Sequence, residues 1–388
     1  MSKSALALSF LVVATLSCQE ADIGHTALCD FADISNPDHP KREVFQEILD
    51  KYVKKGLPGI SALVRDENGI WIGFSGKADI AENIPFLPCN PSKAASITKF
   101  MVATLTFMMQ EQGRINIDDP ISKYVDPKII AEIPNADKVT IRNCLQHTTG
   151  FYDLITDTEF YLAVLNNPNK SWEAEELLEF VYGKDASFMP NEGVEYSNTN
   201  TIFVALCLDK VLGYPHGIAL RNMIWEPLGM TNTYYQSREK LPNTVAQGYY
   251  DLYNDNTIIN VSNIITGSGN GYGGVFSTTL DLLKFMDAVY YNHVLISEES
   301  LSVMMDFIPE DEKNDLGVGM VRKFKNFTTD TGVGHSGRDL GYSADLFAFP
   351  TSNNRLMIFF VNYGTDGNTR LRPVFWEFEE ELVLAITG

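Results

Sequence analysis

The stretch from Ala95 to Gly113 constrains this chain more than any other. Phe100, Met101, Val102, Ala103, Leu105, Phe107, Met108 and Met109 make it apolar nearly all round, and a helix of that kind has to be covered on every side. The rest of the chain must therefore wrap it. Gly113 is placed to end it, as glycine commonly ends helices. At its start stand Ser96 and Lys99, a spacing that puts both side chains on one helix face within a turn of each other. A serine hydroxyl is a weak nucleophile at its own pKa. A lysine desolvated by apolar surroundings loses its proton near neutrality and can act as the base, while first-turn N–H groups favour negative charge. Spacing alone does not carry this assignment. Ser237 and Lys240 repeat it in a polar segment with no such helix behind it, and the plainer alternative makes Ser96 a helix-start residue and Lys99 a snorkelling amine.

The flanking sequence predicts what does the wrapping. Val44, Phe45, Ile48, Leu49 and Tyr52 give an amphipathic helix over Lys41 to Lys55. Ile60 to Arg65 and Ile70 to Phe74 then flank Asp66, Glu67, Asn68 and Gly69, a hairpin signal. Helical patterning dominates residues 81–314, with helices over Val139 to His147, Trp172 to Tyr182 and Thr199 to Leu212. Thr278 with Asp281 marks the capped start of a helix through Tyr290. The glycines from Gly267 to Gly274 lack the lysine of a phosphate-binding loop and read as a tight turn. Strands follow over Gly317 to Lys325, Gly332 to Gly337, Tyr342 to Phe349 and Leu356 to Asn362, then a last helix over Arg370 to Ile386. The expected fold is α+β: an antiparallel sheet built from both chain ends (residues 41–80 and 315–388), flanked by the terminal helices, with a large, mainly helical lobe (residues 81–314) inserted.

Charge and cysteines narrow the function. A formal net charge of −20 without a basic stripe argues against nucleic acid as a partner. After Lys3, the apolar run Ala5 to Leu16 is too short to span a bilayer and has the length of a secretory signal. It ends in Thr15, Leu16, Ser17 and Cys18, which resembles a bacterial lipobox with Cys18 lipidated. The alternative is ordinary cleavage with Cys18 incidental. Residues 1–18 are thus a signal segment, residues 19–40 a polar tether, and the product is exported to the periplasm or cell envelope with a lipid anchor as its membrane contact. Cys29, Cys89, Cys144 and Cys207 permit disulfides in such a chain, with three pairings open. Cys207 lies in an apolar helical run, as a buried small hydrophobe would.

Two more motifs follow Ser96 in order: Tyr196, Ser197, Asn198 before a helix, and His335, Ser336, Gly337 on a strand. Together the three motifs resemble those of the serine β-lactamase and penicillin-binding-protein family. The branch is that of class C β-lactamases, D-alanyl-D-alanine carboxypeptidases, D-aminopeptidases and related esterases. Other phrases from Lys41 onward are similar too: Asp118 to Tyr124, Leu145 to Gly150, Glu226 to Met230 and Gly273 to Thr278.

The resemblance implies roles. Ser96 would attack a carbonyl and form an acyl-enzyme, Lys99 would take its proton, and Tyr196 would relay it to the leaving group, a neighbouring ammonium favouring its phenolate. Asn198 would bind the substrate amide. His335 would complete the polar network beside Tyr196, and Ser336 would offer its hydroxyl to a substrate carboxylate. The backbone N–H groups of Ser96 and Arg338 would form the oxyanion hole. His147 would orient a loop. No cofactor or metal is implied, and a monomer is expected. Class C β-lactamases carry lysine where His335 stands. A histidine titrating near 6.5 offers less fixed positive charge, which turns the reading towards a D-amino-acid peptide or small ester as substrate. A β-lactamase, or a non-catalytic peptide-binding envelope lipoprotein, is the alternative.

Overall fold

In the computed structural model, which describes residues 23–388 apart from residue 366, both chain ends meet in one antiparallel sheet. Its nine strands run in the order Ile84–Pro85, Gly69–Asp79, Gly59–Asp66, Arg355–Val361, Tyr342–Phe349, Gly332–Asp339, Val321–Lys323, Asp315–Leu316, Ile308–Pro309. The ends join where Gly59–Asp66 pairs with Arg355–Val361, Ile60 opposite Val361 and Leu63 opposite Ile358. Side chains on a strand alternate between faces, and here both faces are covered. Ile60, Ala62, Val64, Met357 and Phe359 pack with Phe45 and Leu49 of helix Arg42–Lys54 and with Phe375, Phe378 and Leu382 of helix Arg372–Thr387. Leu63, Leu346, Ile358 and Phe360 face the other way, into the core that holds Phe100, Phe107 and most of the helical lobe.

The central helix is Ile97–Glu111, and all of it is buried except Met108, Gln110 and Glu111. Its threonines are compatible with that burial because they bond back one turn, Thr104 Oγ1 to the Phe100 carbonyl at 2.8 Å and Thr106 Oγ1 to that of Val102 at 2.9 Å. Gly113 takes a φ of 68° just past the end, a conformation that costs glycine nothing. The capping signature at Thr278 is present, its side chain accepting from the Asp281 N–H.

Some expectations need correction. The strand expected over Gly317 to Lys325 is two short ones, Asp315–Leu316 and Val321–Lys323, because the Gly317 N–H turns to bond the Met320 carbonyl at 2.8 Å. The helix expected over Trp172 to Tyr182 is Ala174–Leu178 tightened into a 3-10 turn, Glu179–Val181. The sheet also takes Ile84–Pro85 and Ile308–Pro309 from the stretch expected to be helical.

The larger correction concerns residues 23–40, expected as part of a free tether. They form neither helix nor extended strand, yet they are fastened to the body. Ile23 is buried with Val245, Phe276 and Tyr342. Thr26 is held twice: its N–H donates to Asp79 at 3.1 Å and its hydroxyl to the Val245 carbonyl at 2.7 Å. Of the three open pairings, Cys29–Cys89 forms, and Cys144 and Cys207 remain free and buried. Single anchors without a period leave no pattern in sequence, which is why the segment read as a linker. The signal segment and Cys18 lie outside the described residues.

The disulfide closes a loop with a sequence separation of 60. On the loop-entropy relation, reduction, or Cys29→Ser with Cys89→Ser, should lower unfolding stability by up to about 4 kcal/mol. Urea denaturation with and without reductant measures this.

Candidate active site

The nucleophile candidate sits on a strained turn. Ala95, immediately before Ser96, has a φ of 47°, a left-handed conformation that a residue with a side chain adopts only when its surroundings enforce it. The enforcing neighbour is the strand Gly332–Asp339. A Cβ on Gly337 would lie 1.9 Å from the Ala94 carbonyl oxygen, so only glycine lets the strand backbone rest on the turn.

Lys99 is 2% exposed. Its Nζ lies 3.1 Å from Ser96 Oγ, 2.7 Å from Asn198 Oδ1 and 2.8 Å from the Tyr272 carbonyl oxygen. Burial lowers its pKa to about 7, although the negative charges of Asp153 and Asp339 pull the other way. The hydrogen bonds decide what the neutral amine does. Asn198 donates from its backbone N–H to Asp153 at 2.9 Å and from Nδ2 to both Asp153 oxygens. A carboxylate accepts only, which fixes Oδ1 of Asn198 towards Lys99. The Tyr272 carbonyl accepts only as well. A neutral amine has two N–H donors and one lone pair, and both donors are taken. The lone pair is left for the Ser96 hydroxyl.

Tyr196 completes this group with its hydroxyl bonded to Ser96 and its ring 5.0 Å from Lys99 Nζ. The His147 ring stacks on it at 4.4 Å, and the Tyr196 N–H donates to Glu310 at 3.0 Å. The expectation of a phenolate is reversed. Burial pushes the phenol far above its ordinary pKa, Asp153 and Glu310 push the same way, and the hydrogen bond with Ser96 offsets only part of it. Tyr196 is therefore held as the neutral phenol, a proton donor. His147 does not touch Ser96. Its Nδ1 accepts from the Ser197 N–H at 3.1 Å and lies 3.1 Å from Asn200 Nδ2, so its part is to hold Tyr196 in place.

His335 also departs from expectation. Its Nδ1 is 2.6 Å from the Ser336 carbonyl, an obligatory acceptor, so Nδ1 carries the proton. Burial first and Lys99 second lower its pKa to about 3. The ring is neutral at every working pH and cannot be the group titrating near 6.5. Strand alternation separates the rest of the motif. His335 shares a small cavity with Lys99 and His147. The Arg338 guanidinium lies behind the sheet on Asp345 at 2.8 Å and Glu379 at 2.7 Å. Ser336 has the parity of Arg338 and is not among the residues lining the cleft. That cleft is bounded by Ser96, Asn198, Tyr161, Tyr272, Arg338 and Asp339, among others. Ser237 stands in a left-handed turn outside any helix.

Asp153, which orients Asn198 and faces Lys99, escaped the sequence reading. Its loop, Gly150, Phe151, Tyr152, Asp153, looks like an ordinary turn, and Asp153 does cap the short 3-10 turn that follows. No local signal marks its second role.

The Beta-lactamase family profile matches residues 44–373. Penicillin-binding protein 4* of Bacillus subtilis is 25% identical over 306 residues, 75% of this chain and 65% of that protein. Protein flp of Staphylococcus aureus is 24% identical over 210 residues, 54% of this chain and 41% of that protein. The chain thus spans less than two thirds of the length of these curated relatives. A D-amino acid amidase from Ochrobactrum anthropi SV3, solved with L-phenylalanine, superposes with a TM-score of 0.78 at 23% identity, covering 88% of this chain and 97% of that one. A D-stereospecific amidohydrolase from Streptomyces sp. gives 0.76 at 24%, covering 89% and 98%. A penicillin binding protein from Bacillus halodurans gives 0.72 at 23%, covering 87% and 99%. These likenesses are of fold.

Two pH effects follow from the geometry. Because the base must be the free amine, kcat/KM for an uncharged ester should rise with pH through about 7 and then level. NMR of the imidazole C–H signals should show His335 unchanged between about pH 5 and pH 9, since it is held neutral there.

Proposed function

The chain belongs to the beta-lactamase family, and from that premise we propose that it is a serine hydrolase working through an acyl-enzyme on D-amino-acid peptides or amides, or on small esters. The observation that carries the reading is the lone pair of Lys99, left by two obligatory acceptors to face Ser96 Oγ at 3.1 Å. Ser96 Oγ bonds to the substrate carbonyl carbon as Lys99 takes its proton. The backbone N–H groups of Ser96 and Arg338 receive the oxyanion, by analogy with the family. The C–N or C–O bond then breaks, the leaving group takes the phenolic proton of Tyr196, and the Lys99 ammonium replaces that proton. Water attacks the acyl-serine by the same transfers in reverse order. Asn198, engaged by Asp153 through Nδ2, offers the cleft a lone pair of Oδ1, suited to a substrate amide N–H.

A neutral His335 in place of a lysine argues for amide and ester substrates over carboxylate-bearing cephalosporins. The amidase and amidohydrolase neighbours support the same choice. The Cys29–Cys89 disulfide supports an oxidising compartment. With the apolar run Ala5 to Leu16 it favours export, and Cys18 as the lipid-bearing residue.

The test is covalent labelling. A fluorophosphonate or fluorescent penicillin should mark the wild type, Ser96→Ala should remain folded and unmarked, and Ser237→Ala should label normally. Lys99→Ala and Tyr196→Phe should each lose about a hundred-fold or more in turnover. Labelling that survives Ser96→Ala refutes the assignment, and a wild type that takes no label points to the binding-protein alternative. Cephalosporin turnover should be slow. Cys18→Ser should release the protein from membrane fractions.

A further inference from the structure

Lys93 is fully buried on the short strand Ser92–Lys93, three residues before Ser96. Its ammonium lies 3.3 Å from Asp339 Oδ2, its one ion-pair partner among the described residues. It also lies 5.7 Å and 5.4 Å from the ring centres of Phe276 and Tyr342. A buried ammonium with one counter-ion ties the two segments tightly, because either charge left alone is costly. Asp339 directly follows Arg338 and lines the cleft. Its other oxygen accepts from Thr266 Oγ1 at 2.8 Å and from the Leu340 N–H at 2.7 Å. From Thr266 the connections run on to the catalytic amine. The Thr266 carbonyl accepts the Tyr272 hydroxyl at 2.5 Å, and the Tyr272 carbonyl is the acceptor that holds Lys99 at 2.8 Å.

We propose that the Lys93–Asp339 pair is a positioning clamp for the reaction. It fixes the nucleophile turn against the strand that carries the Arg338 N–H, and through Thr266 and Tyr272 it sets where the Lys99 amine points. Neither residue touches the reacting atoms. The clamp explains how Ala95 is kept in its left-handed conformation. The strained residue lies between Lys93 and Ser96, and the Gly337 backbone closes on it from the Asp339 side. The assignment rests on the serine-hydrolase reading above and adds residues that the three motifs leave out.

Asp339 has a second effect that a purely structural residue would not have. Lys99 is faced by Asp153, by the neutral rings of His147 and His335, and by the phenols Tyr196 and Tyr272. Asp339 is the other carboxylate whose field favours its ammonium. Removing that charge makes the ammonium harder to keep.

The experiment measures kcat, KM and the pH profile of p-nitrophenyl ester hydrolysis in the full-length protein. Asp339→Asn should lower kcat by about tenfold or more with KM within about threefold, as expected for loss of transition-state alignment, and should move the acid limb of kcat/KM to lower pH. Lys93→Arg, which retains the pair, should stay near wild type. Lys93→Met with Asp339→Asn removes both charges together, which buried pairs tolerate far better than loss of one. It should fold and show the same drop in kcat, and it decides the matter if Asp339→Asn alone does not fold. Wild-type kcat in the folded double variant, or an unmoved acid limb in a folded Asp339→Asn, overturns the clamp. Hydrolysis that persists in Ser96→Ala overturns instead the reading on which the clamp rests.

Discussion

Everything in this site depends on keeping one amine out of water. In the proposed mechanism Lys99 serves as a base only if it gives up its proton near neutrality, and what drives it there is desolvation by the helix Ile97–Glu111 and its neighbours, against the fields of Asp153 and Asp339. That demand explains why the helix is apolar on every face and why the helical lobe closes around it. It also explains why the polar groups that do reach Lys99 are acceptors. An acceptor satisfies the N–H groups of the free amine without supplying a proton that would compete with Ser96. The same dryness acts on every neighbouring group. It holds Tyr196 protonated and both histidines neutral. A single low-polarity pocket thus sets four protonation states together.

The parts of this design that were legible in sequence are those written as periodicity or as short contiguous patterns. The apolar run after Ser96, the strand runs Tyr342 to Phe349 and Leu356 to Asn362 set off by turn residues, and the order of the three motifs sufficed for the α+β fold and for the grouping of Ser96, Lys99, Tyr196 and Asn198. What escaped was carried by single residues acting over long separations. Asp153 meets Asn198 across 45 positions, and Thr266 meets Asp339 across 73. Cys29 finds Cys89 from a stretch without a period. Protonation was misjudged for another reason. Charge proximity can be read from motif order, but the depth at which a group is buried cannot. For Tyr196 and His335 depth is the largest cause, and the charges of Asp153 and Glu310 on the one and of Lys99 on the other push the same way.

His335 shows how a conserved-looking architecture can change character through one ring. Its Nδ1–H is spent on its own strand, on the Ser336 carbonyl, so Nε2 is left as a bare acceptor. A lysine at that place would be a donor with a full charge. The histidine makes the interior beside Tyr196 a region that receives hydrogen bonds. The arginine three residues on, Arg338, directs its charge to Asp345 and Glu379 on the opposite side of the sheet. The cleft consequently receives no positive charge from His335 or from the Arg338 guanidinium.

The joining of the chain ends in one sheet also bears on how the molecule is made. Gly59–Asp66 is synthesised long before its sheet neighbour Arg355–Val361. Until that partner arrives, Ile60, Ala62, Leu63 and Val64 have one strand edge unpaired and two apolar faces uncovered, a template for association with other chains. Pairings of such long range are slow to form and leave their intermediates exposed. The hairpin with Gly69–Asp79 can protect only one edge in the interval. Assembly of the sheet therefore waits on the arrival of Arg355–Val361, and until then the strand that began it stands half paired.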